Sequence, residues 1–143
     1  MSIAKVLLVD DETDFVESFS ERLKMRNLEI LSAFSGPEAL QILETNQDTE
    51  VVILDVKMPE MDGIETLAEI KKRYPLAEVI MLSGHADVES AIEGMKQGAF
   101  DYLMKPCEMD NIMAKVTEAA EKKRQHEEKI IQARIKEITS RRI

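Results

Sequence analysis

Four apolar runs in the sequence each end beside a residue type that takes part in phosphoryl chemistry. The runs lie at 6–11, 51–55, 79–83 and 100–106, and the residues are Asp10, Asp11, Asp55, Ser83 and Lys105. Three carboxylates bind a divalent cation, while a hydroxyl and an ammonium hold phosphoryl oxygens. Each run is typical of a buried strand in a parallel sheet. We therefore expect these five side chains to meet at one sheet edge.

The elements that must position them alternate along the chain. Five strand patterns, at 6–9, 30–34, 51–55, 79–83 and 100–105, are separated by apolar residues at helical spacing, such as Phe15, Phe19 and Leu23. This alternation predicts an α/β fold, a doubly wound five-stranded parallel sheet with helices on both faces. Sites in such sheets lie at the carboxyl ends of the strands, where the five residues fall.

Composition narrows the class of protein. The 143 residues suit one domain, with 44% apolar and 33% charged residues and a net charge of −9. Residues 107–143 hold nine Lys or Arg against seven Asp or Glu, which gives +2 and leaves −11 for residues 1–106. A body this acidic argues against direct nucleic acid binding and favours Mg²⁺ or a basic partner.

The sequence favours a cytoplasmic location. No apolar run approaches the roughly 20 residues of a membrane span, and no secretion leader opens the chain. The single cysteine, Cys107, has no partner for an internal disulfide, which fits a reducing compartment. We interpret Cys107 as a small apolar residue near a helix start.

Each site residue has a plainer interpretation. Asp10 and Asp11 alone resemble caps of the next helix, Lys105 a solvated surface charge and Ser83 a turn residue beside Gly84. Asp55 at the end of a neighbouring strand changes this balance, because three converging carboxylates repel one another unless a cation binds. Asp55 is then a suitable nucleophile, since its carboxylate is ionised at neutral pH.

At these residues the chain closely resembles the receiver domains of two-component response regulators. The matching blocks are Val9-Asp10-Asp11, the run from Ile53 to Gly63, Leu82-Ser83-Gly84-His85-Ala86 and Tyr102-Leu103-Met104-Lys105-Pro106. The resemblance covers about residues 3–122 and implies a flavodoxin-like sheet with strand order 2-1-3-4-5. It also implies a cis Lys105-Pro106 bond, although the sequence alone favours trans.

The resemblance assigns a role to each residue. Asp55 is the implied phosphorylation site, and Mg²⁺ is held by Asp10, Asp11, Asp55 and the backbone carbonyl of Lys57. Lys105 is the phosphate-binding lysine, with Ser83 and Tyr102 as the switch pair. Lys57 and His85 are positions at which the family varies and tunes phosphoryl lifetime. Tyr102 also has a plainer interpretation, as a half-buried strand aromatic.

The function implied is a phosphorylation-dependent signalling switch in a phosphorelay, not a turnover enzyme. A sensor histidine kinase, a phosphotransfer protein or a small phosphodonor supplies the phosphoryl group. The surface around the fourth helix and fifth strand then changes and controls an output protein, or an output domain outside this sequence. The chain is interpreted either as a stand-alone receiver or as part of a longer regulator.

The last residues of the chain follow a different pattern from the rest. We predict a receiver domain at 1–122 and a helical extension at 123–143, because residues 108–142 contain no Pro or Gly. Ile131, Ile135 and Ile138 have the spacing of a helix-pairing seam, although they cover little more than one heptad. The extension is either a homodimer or partner contact, a solvated helix, or a linker.

Three other classes of protein fit less well. A haloacid-dehalogenase-type phosphatase needs an acid two residues after its nucleophile, where this chain has Lys57. A flavodoxin-like FMN site needs a loop that binds phosphate directly, and the acidic residues 10–12 would repel it. A receiver-like protein that acts without phosphorylation would not need the complete set of five site residues.

Overall fold

The computed structural model describes residues 2–84 and 87–141, and in them strands and helices alternate as predicted. The strands are β1 Lys5–Val9, β2 Glu29–Ala33, β3 Val51–Leu54, β4 Glu78–Ser83 and β5 Asp101–Met104. The helices are α1 Thr13–Lys24, α2 Gly36–Thr45, α3 Gly63–Arg73, α4 Val88–Lys96 and α5 Met109–Arg141. The sequence interpretation of His85 lies outside the described residues.

The five strands form one parallel sheet in the order β2-β1-β3-β4-β5. This confirms the doubly wound α/β fold and the strand order. β1, β3 and β4 are almost wholly buried, because helices cover both faces of the sheet. Their side chains alternate between two apolar clusters, one beneath α1 and α5 and one beneath α2 and α3.

Three of the helix starts follow from single residues before them. The side chains of Ser35, Asp62 and Asp87 accept hydrogen bonds from the backbone N–H groups three residues later, which caps α2, α3 and α4. Helix α1 differs, because its capping residue Glu12 makes no side-chain cap hydrogen bond.

The strand ends differ from the predicted ones by at most one residue. β3 stops at Leu54 and β5 at Met104, so Asp55 and Lys105 lie just after the strands instead of inside them. Phe34 follows β2, and Gly98 lies two residues beyond the end of α4 with a φ of 101°. These ends are set by backbone hydrogen bonding, which the apolar pattern locates only approximately.

Helix α5 is far longer than the sheet it covers. Its first three turns pack on the sheet through Ile112, Val116, Ala119 and Ala120, all buried. From Lys129 to Arg141 every side chain is exposed. No helix among the described residues is long and apolar enough to cross a membrane.

Candidate functional site

The carboxyl edge of the sheet gathers the residues expected there. Asp10 follows β1, Asp55 follows β3, Ser83 is the last residue of β4 and Lys105 follows β5. The strands are parallel and adjacent, so these four ends lie side by side. The chain supplies this juxtaposition by topology alone, since the residues lie up to 95 positions apart in sequence.

Three carboxylates form the centre of this edge. One oxygen from each of Asp10, Asp11 and Asp55 lies within 4.8 Å of the others. Asp10 and Asp55 are buried, with 1% and 4% exposure, whereas Asp11 is exposed and faces the opening. Oxygens bound to one Mg²⁺ lie no more than about 4.2 Å apart, given bonds near 2.1 Å, so a small inward movement would complete such a site. The donor set and its spacing fit Mg²⁺.

Asp10 does not cap α1 from the N-cap position, the plainer interpretation of this residue. One of its oxygens, Oδ1, accepts a hydrogen bond of 3.0 Å from the backbone N–H of Glu12. Its other oxygen, Oδ2, accepts from the Nζ of Lys105 at 2.6 Å. Asp10 therefore holds both the turn into α1 and the lysine ammonium.

The Lys105 ammonium lies close to three side chains among the described residues. Besides Asp10, its Nζ lies 3.6 Å from an oxygen of Glu12 and 4.0 Å from the centroid of the Phe15 ring. Burial alone would lower the pKa of the ammonium, but the hydrogen bond and charge of Asp10, with the charges of Asp55 and Glu12, raise it. Lys105 is thus a firmly charged group, bonded here to Asp10, whereas the sequence led us to expect Asp55 or a phosphoryl oxygen as its partner.

Asp55 lies in an environment that opposes its negative charge. Burial raises the pKa of its carboxyl, and the nearby charge of Asp10 raises it further. The Lys105 charge, a hydrogen bond with Ser83 and the backbone N–H of Val56, 2.9 Å from Oδ1, partly offset this rise. A cation at this edge would offset the repulsion from Asp10 and favour the ionised form.

Ser83 and Tyr102 lie behind the acids. Ser83 is fully buried and Tyr102 half-buried. Burial raises the pKa of the Tyr102 phenol, with contributions from the charges of Asp87 and Asp55, while a hydrogen bond with Ser83 lowers it. Ser83 thus connects electrostatically to Asp55 on one side and to Tyr102 on the other. The Lys105-Pro106 bond beside them is cis, as the resemblance implied.

The loop after β3 depends on a glycine. A Cβ on Gly63 would lie 2.0 Å from the carbonyl oxygen of Asp55 and 2.7 Å from the Cα of Val56. The Gly63 N–H donates to the Val56 carbonyl at 2.6 Å, which closes the loop against the acidic cluster. Lys57, in the same loop, is exposed, and its charge contributes to the lowered pKa of Asp87, after the hydrogen bonds from Ser90.

Sequence reasoning missed two contacts of the site. Glu12 and Phe15 approach Lys105, yet Phe15 was assigned only to the apolar face of α1. The signal available was its position in the first turn of that helix, five residues after Asp10.

Cys107 is a half-buried free thiol next to this region, and burial raises its pKa, which agrees with an apolar packing role.

Comparison with known proteins identifies the family. A sequence model described as "Response regulator receiver domain" matches residues 6–117. The chain belongs to this family. Receiver domains are parts of two-component response regulators, whose signalling is based on phosphorylation, and they generally bind Mg²⁺ at an acidic cluster.

Individual relatives agree with this assignment. A putative NtrX-like response regulator of Rickettsia bellii is 40% identical over 123 residues, which cover 85% of this chain and 26% of the relative. The crystal structure of a receiver domain protein from Clostridium thermocellum has 39% identity and a TM-score of 0.82, and the match covers 85% of this chain and 98% of that one.

A third similar structure is the CheX–CheY–BeF₃–Mg²⁺ complex from Borrelia burgdorferi, with 27% identity and a TM-score of 0.75. That match covers 80% of this chain and 87% of the other. The receiver chain spans about a quarter of the length of the curated relatives it matches.

Proposed function

We propose that this receiver domain is a phosphorylation-dependent switch in which Asp55 accepts a phosphoryl group. The donor is the phosphohistidine of a sensor kinase or phosphotransfer protein, or a small phosphodonor. The observation that carries the proposal is the cluster of Asp10, Asp11 and Asp55, whose oxygens lie within 4.8 Å of one another beside the Lys105 ammonium. The receiver assists its own phosphorylation and dephosphorylation and turns over no other substrate.

The residues that would hold Mg²⁺ are Asp10, Asp11 and Asp55, with the backbone carbonyl of Lys57 as a fourth ligand. When bound, Mg²⁺ supplies positive charge that neutralises the transferring phosphoryl group. All four ligands are oxygens, which this cation prefers. The binding of BeF₃ and Mg²⁺ in the related CheY complex supports the same chemistry at this edge.

The transfer itself needs little from the protein beyond position and charge. A carboxylate oxygen of Asp55 approaches the phosphorus in line with the leaving group, and a new P–O bond forms. The P–N bond of the donor phosphohistidine breaks, and its electron pair leaves with the imidazole nitrogen. Lys105 stabilises the charge on the phosphoryl oxygens. To do so, its Nζ gives up the contact with Asp10 and binds the phosphoryl oxygens instead.

The switch would begin at Ser83. A phosphoryl group on Asp55 adds close to two negative charges and three acceptor oxygens, which attract the Ser83 hydroxyl. Tyr102, half-buried and electrostatically linked to Ser83, would turn further inward as Ser83 moves. Residues of α4 and β5 would then rearrange as a shift between two existing conformations. Helix α4 is suited to this, because Gly94 is its one buried residue.

The signal then passes to an output protein or to an output domain of a longer regulator. This interpretation is supported by relatives about four times as long as the matched region. We propose residues 1–122 as the receiver domain and 123–143 as the extension that connects it to the output. The acidic body leaves direct nucleic acid binding to other segments or proteins.

The extension would also pair two copies. Arg124 fixes its direction, with hydrogen bonds to Glu50 of 2.7 and 2.8 Å and to the carbonyl oxygen of Ile3 of 2.7 Å. Beyond this anchor one stripe of the helix is apolar and about half exposed, formed by Ile131, Ile135 and Ile138. A second copy of this stripe is a suitable partner, because isoleucine at alternating spacings of four and three packs between helices.

Intact mass measurement tests the switch. The protein is mixed with acetyl phosphate, with Mg²⁺ or with a chelator, and compared with Asp55→Asn and with Asp62→Asn, a change in the neighbouring loop. We expect one added phosphoryl group in the parent and in Asp62→Asn, only with Mg²⁺, and none in Asp55→Asn. Modification that persists in Asp55→Asn, or none in the parent, would contradict the proposal.

A further inference from the structure

The ammonium of Lys105 lies over an aromatic face that the phosphorylation chemistry does not use. Its Nζ is 4.0 Å from the centroid of the Phe15 ring, well inside the distance of about 6 Å at which such a contact is attractive. The Lys105 side chain is only 16% exposed, so the contact is partly shielded from water. Such contacts are stronger where the cation is desolvated.

The orientation of this ring is fixed by its neighbours. Phe15 lies in the first turn of α1, and its ring stacks on that of Phe19, with centroids 5.0 Å apart and planes inclined by 18°. Phe19 is buried, with 5% exposure, in the cluster beneath α1 and α5. The spacing of four residues places both rings on one helix face. The Phe15 ring is therefore oriented by its stack on a buried neighbour.

Cation binding affects the carboxylate partners of Lys105 and its aromatic partner differently. Asp10, at 2.6 Å, and Glu12, at 3.6 Å, are carboxylates, and Asp10 is also one of the proposed metal ligands. Once Asp10 holds a cation, its charge is shared and its hold on Lys105 weakens. The ring of Phe15 has no oxygen to offer a hard cation, so its contact with the ammonium is unaffected.

From this geometry we propose that Phe15 is a positioning residue that keeps the Lys105 ammonium directed toward Asp55 when Asp10 is engaged as a metal ligand. The inference rests on the proposed function, in which Lys105 contacts the phosphoryl group on Asp55. Phe15 would act through Lys105 and would touch neither the phosphoryl group nor the metal.

The test compares full-length variants in two measurements. Phe15→Leu and Phe15→Met keep an apolar side chain and remove the ring, while Phe15→Tyr keeps the ring. Phe100→Leu is the matched control, because Phe100 is also half-buried against the same core cluster, but its ring faces Lys122 at 5.5 Å. Denaturant unfolding is measured first, so that each variant is assayed where it is folded.

The first measurement is the NMR shift of the Lys105 ε-methylene protons, without any phosphodonor. A ring current from Phe15 should move these signals upfield in the parent, in Phe15→Tyr and in Phe100→Leu, with or without Mg²⁺. The upfield shift should disappear in Phe15→Leu and Phe15→Met. Loss of the shift when Mg²⁺ is added to the parent would overturn the inference, because the contact would then not outlast engagement of Asp10.

The second measurement is the rate of modification by acetyl phosphate at saturating Mg²⁺. Phe15→Leu and Phe15→Met should react about two- to tenfold more slowly than the parent, the range expected for one cation–aromatic contact. Phe15→Tyr and Phe100→Leu should react at the parental rate. An unchanged rate in both ring-deleted variants would contradict the positioning role. Absence of modification in the parent would instead refute the proposed function, while the NMR comparison still decides whether Phe15 holds Lys105.

Discussion

Asp55 combines two requirements that conflict in the protein alone. It must be ionised to act as a nucleophile, yet burial and the charge of Asp10 both raise its pKa. The Lys105 ammonium only partly offsets this, because its shortest contact is with Asp10, at 2.6 Å. The acidic cluster is therefore a source of instability without a cation, and this instability is available to drive cation binding.

Replacing Asp55 should stabilise the protein when Mg²⁺ is absent. The folded-state pKa of Asp55 is raised, so the folded protein holds its proton to higher pH than the unfolded chain does. Stability contributed by this residue is thus lost as pH rises through the window from the ordinary carboxyl pKa to the raised one. In urea unfolding at pH 7 with a chelator, Asp55→Asn should be more stable than the parent, and the difference should shrink as the pH falls through that window toward about 4.

A suitable control is Asp14→Asn, an exposed change in the first turn of α1. It should alter the free energy of unfolding by less than about 0.5 kcal/mol at either pH. A parent more stable than Asp55→Asn at pH 7 would mean that Asp55 is not destabilised by its surroundings.

Addition of Mg²⁺ should stabilise the parent. A ligand at a hundred times its dissociation constant stabilises the folded state by about 2.7 kcal/mol, and a chelator removes the gain. Thermal unfolding should therefore shift upward with Mg²⁺ in the parent but little in Asp10→Asn, which loses a buried ligand of the cluster. Equal shifts in the two proteins would show that the cation binds elsewhere.

At the scale of elements, the loop between β3 and α3 joins the acceptor to the fold. Asp62 caps α3 through the N–H of Glu65 at 2.9 Å, and Gly63 then packs its Cα side directly against the backbone of Asp55. The dipeptide Asp62-Gly63 is typical of a turn that leads into a helix, and α3 begins at Gly63. It did not predict that the glycine touches the acceptor residue, because that contact depends on the path of the whole loop.

A methyl group at Gly63 should disturb this loop. The added Cβ would overlap the Asp55 carbonyl oxygen at 2.0 Å, so the backbone must move, and Gly63→Ala should lose on the order of 3 kcal/mol of unfolding free energy. Gly94→Ala in α4 is the matched control, since its Cβ would meet only ordinary contacts of 3.6 to 3.8 Å. This control should be neutral or gain up to about 1 kcal/mol, because alanine favours helix. Equal losses in the two variants would argue against the close approach.

Some features of the fold and the site could be predicted from the sequence, and others could not. Continuous apolar runs predicted the strands and apolar residues at helical spacing predicted the helices, while parallel topology brought Asp10, Asp55 and Ser83 to one edge. The predicted strand ends were off by at most one residue. The partner of Lys105 was not predictable, because it is chosen by side-chain torsions among acids that are all within reach.

The long-range ion pairs could not be predicted from the sequence either. Absence of Pro and Gly predicted the length of α5, which runs to Arg141. It gave no sign that Arg124 would bind Glu50, 74 positions earlier, or that Lys122 would lie 3.1 Å from the buried Glu78. Periodicity describes one element at a time, whereas these contacts depend on where α5 passes the opposite edge of the sheet.

At the scale of the whole molecule, the end of α5 is the longest fully exposed stretch among the described residues. An isolated helix of about a dozen residues is marginal in water, so the stretch from Lys129 to Arg141 gains from a partner. The anchors at Lys122 and Arg124 hold its base on the receiver body. Any pairing of the apolar stripe would then fix the relative orientation of two receivers.

Single substitutions in the stripe test this pairing. Ile135→Gln removes its central side chain, while Ile130→Gln changes a similarly exposed isoleucine that lies about 140° around the helix from Ile135. Sedimentation over a range of concentrations should show that Ile135→Gln weakens self-association at least about tenfold and that Ile130→Gln behaves like the parent. A monomeric parent at all concentrations would contradict the pairing proposal without affecting the switch.

The most direct measurement identifies the residue that carries the phosphoryl group. After reaction with acetyl phosphate and Mg²⁺, borohydride reduces an aspartyl phosphate to homoserine, and peptide mass spectrometry identifies the changed residue. We expect homoserine at position 55 and at no other aspartate, and none when a chelator replaces Mg²⁺. Homoserine at Asp10 or Asp11, or an unreduced chain that has nevertheless gained a phosphoryl group on a hydroxyl, would contradict it.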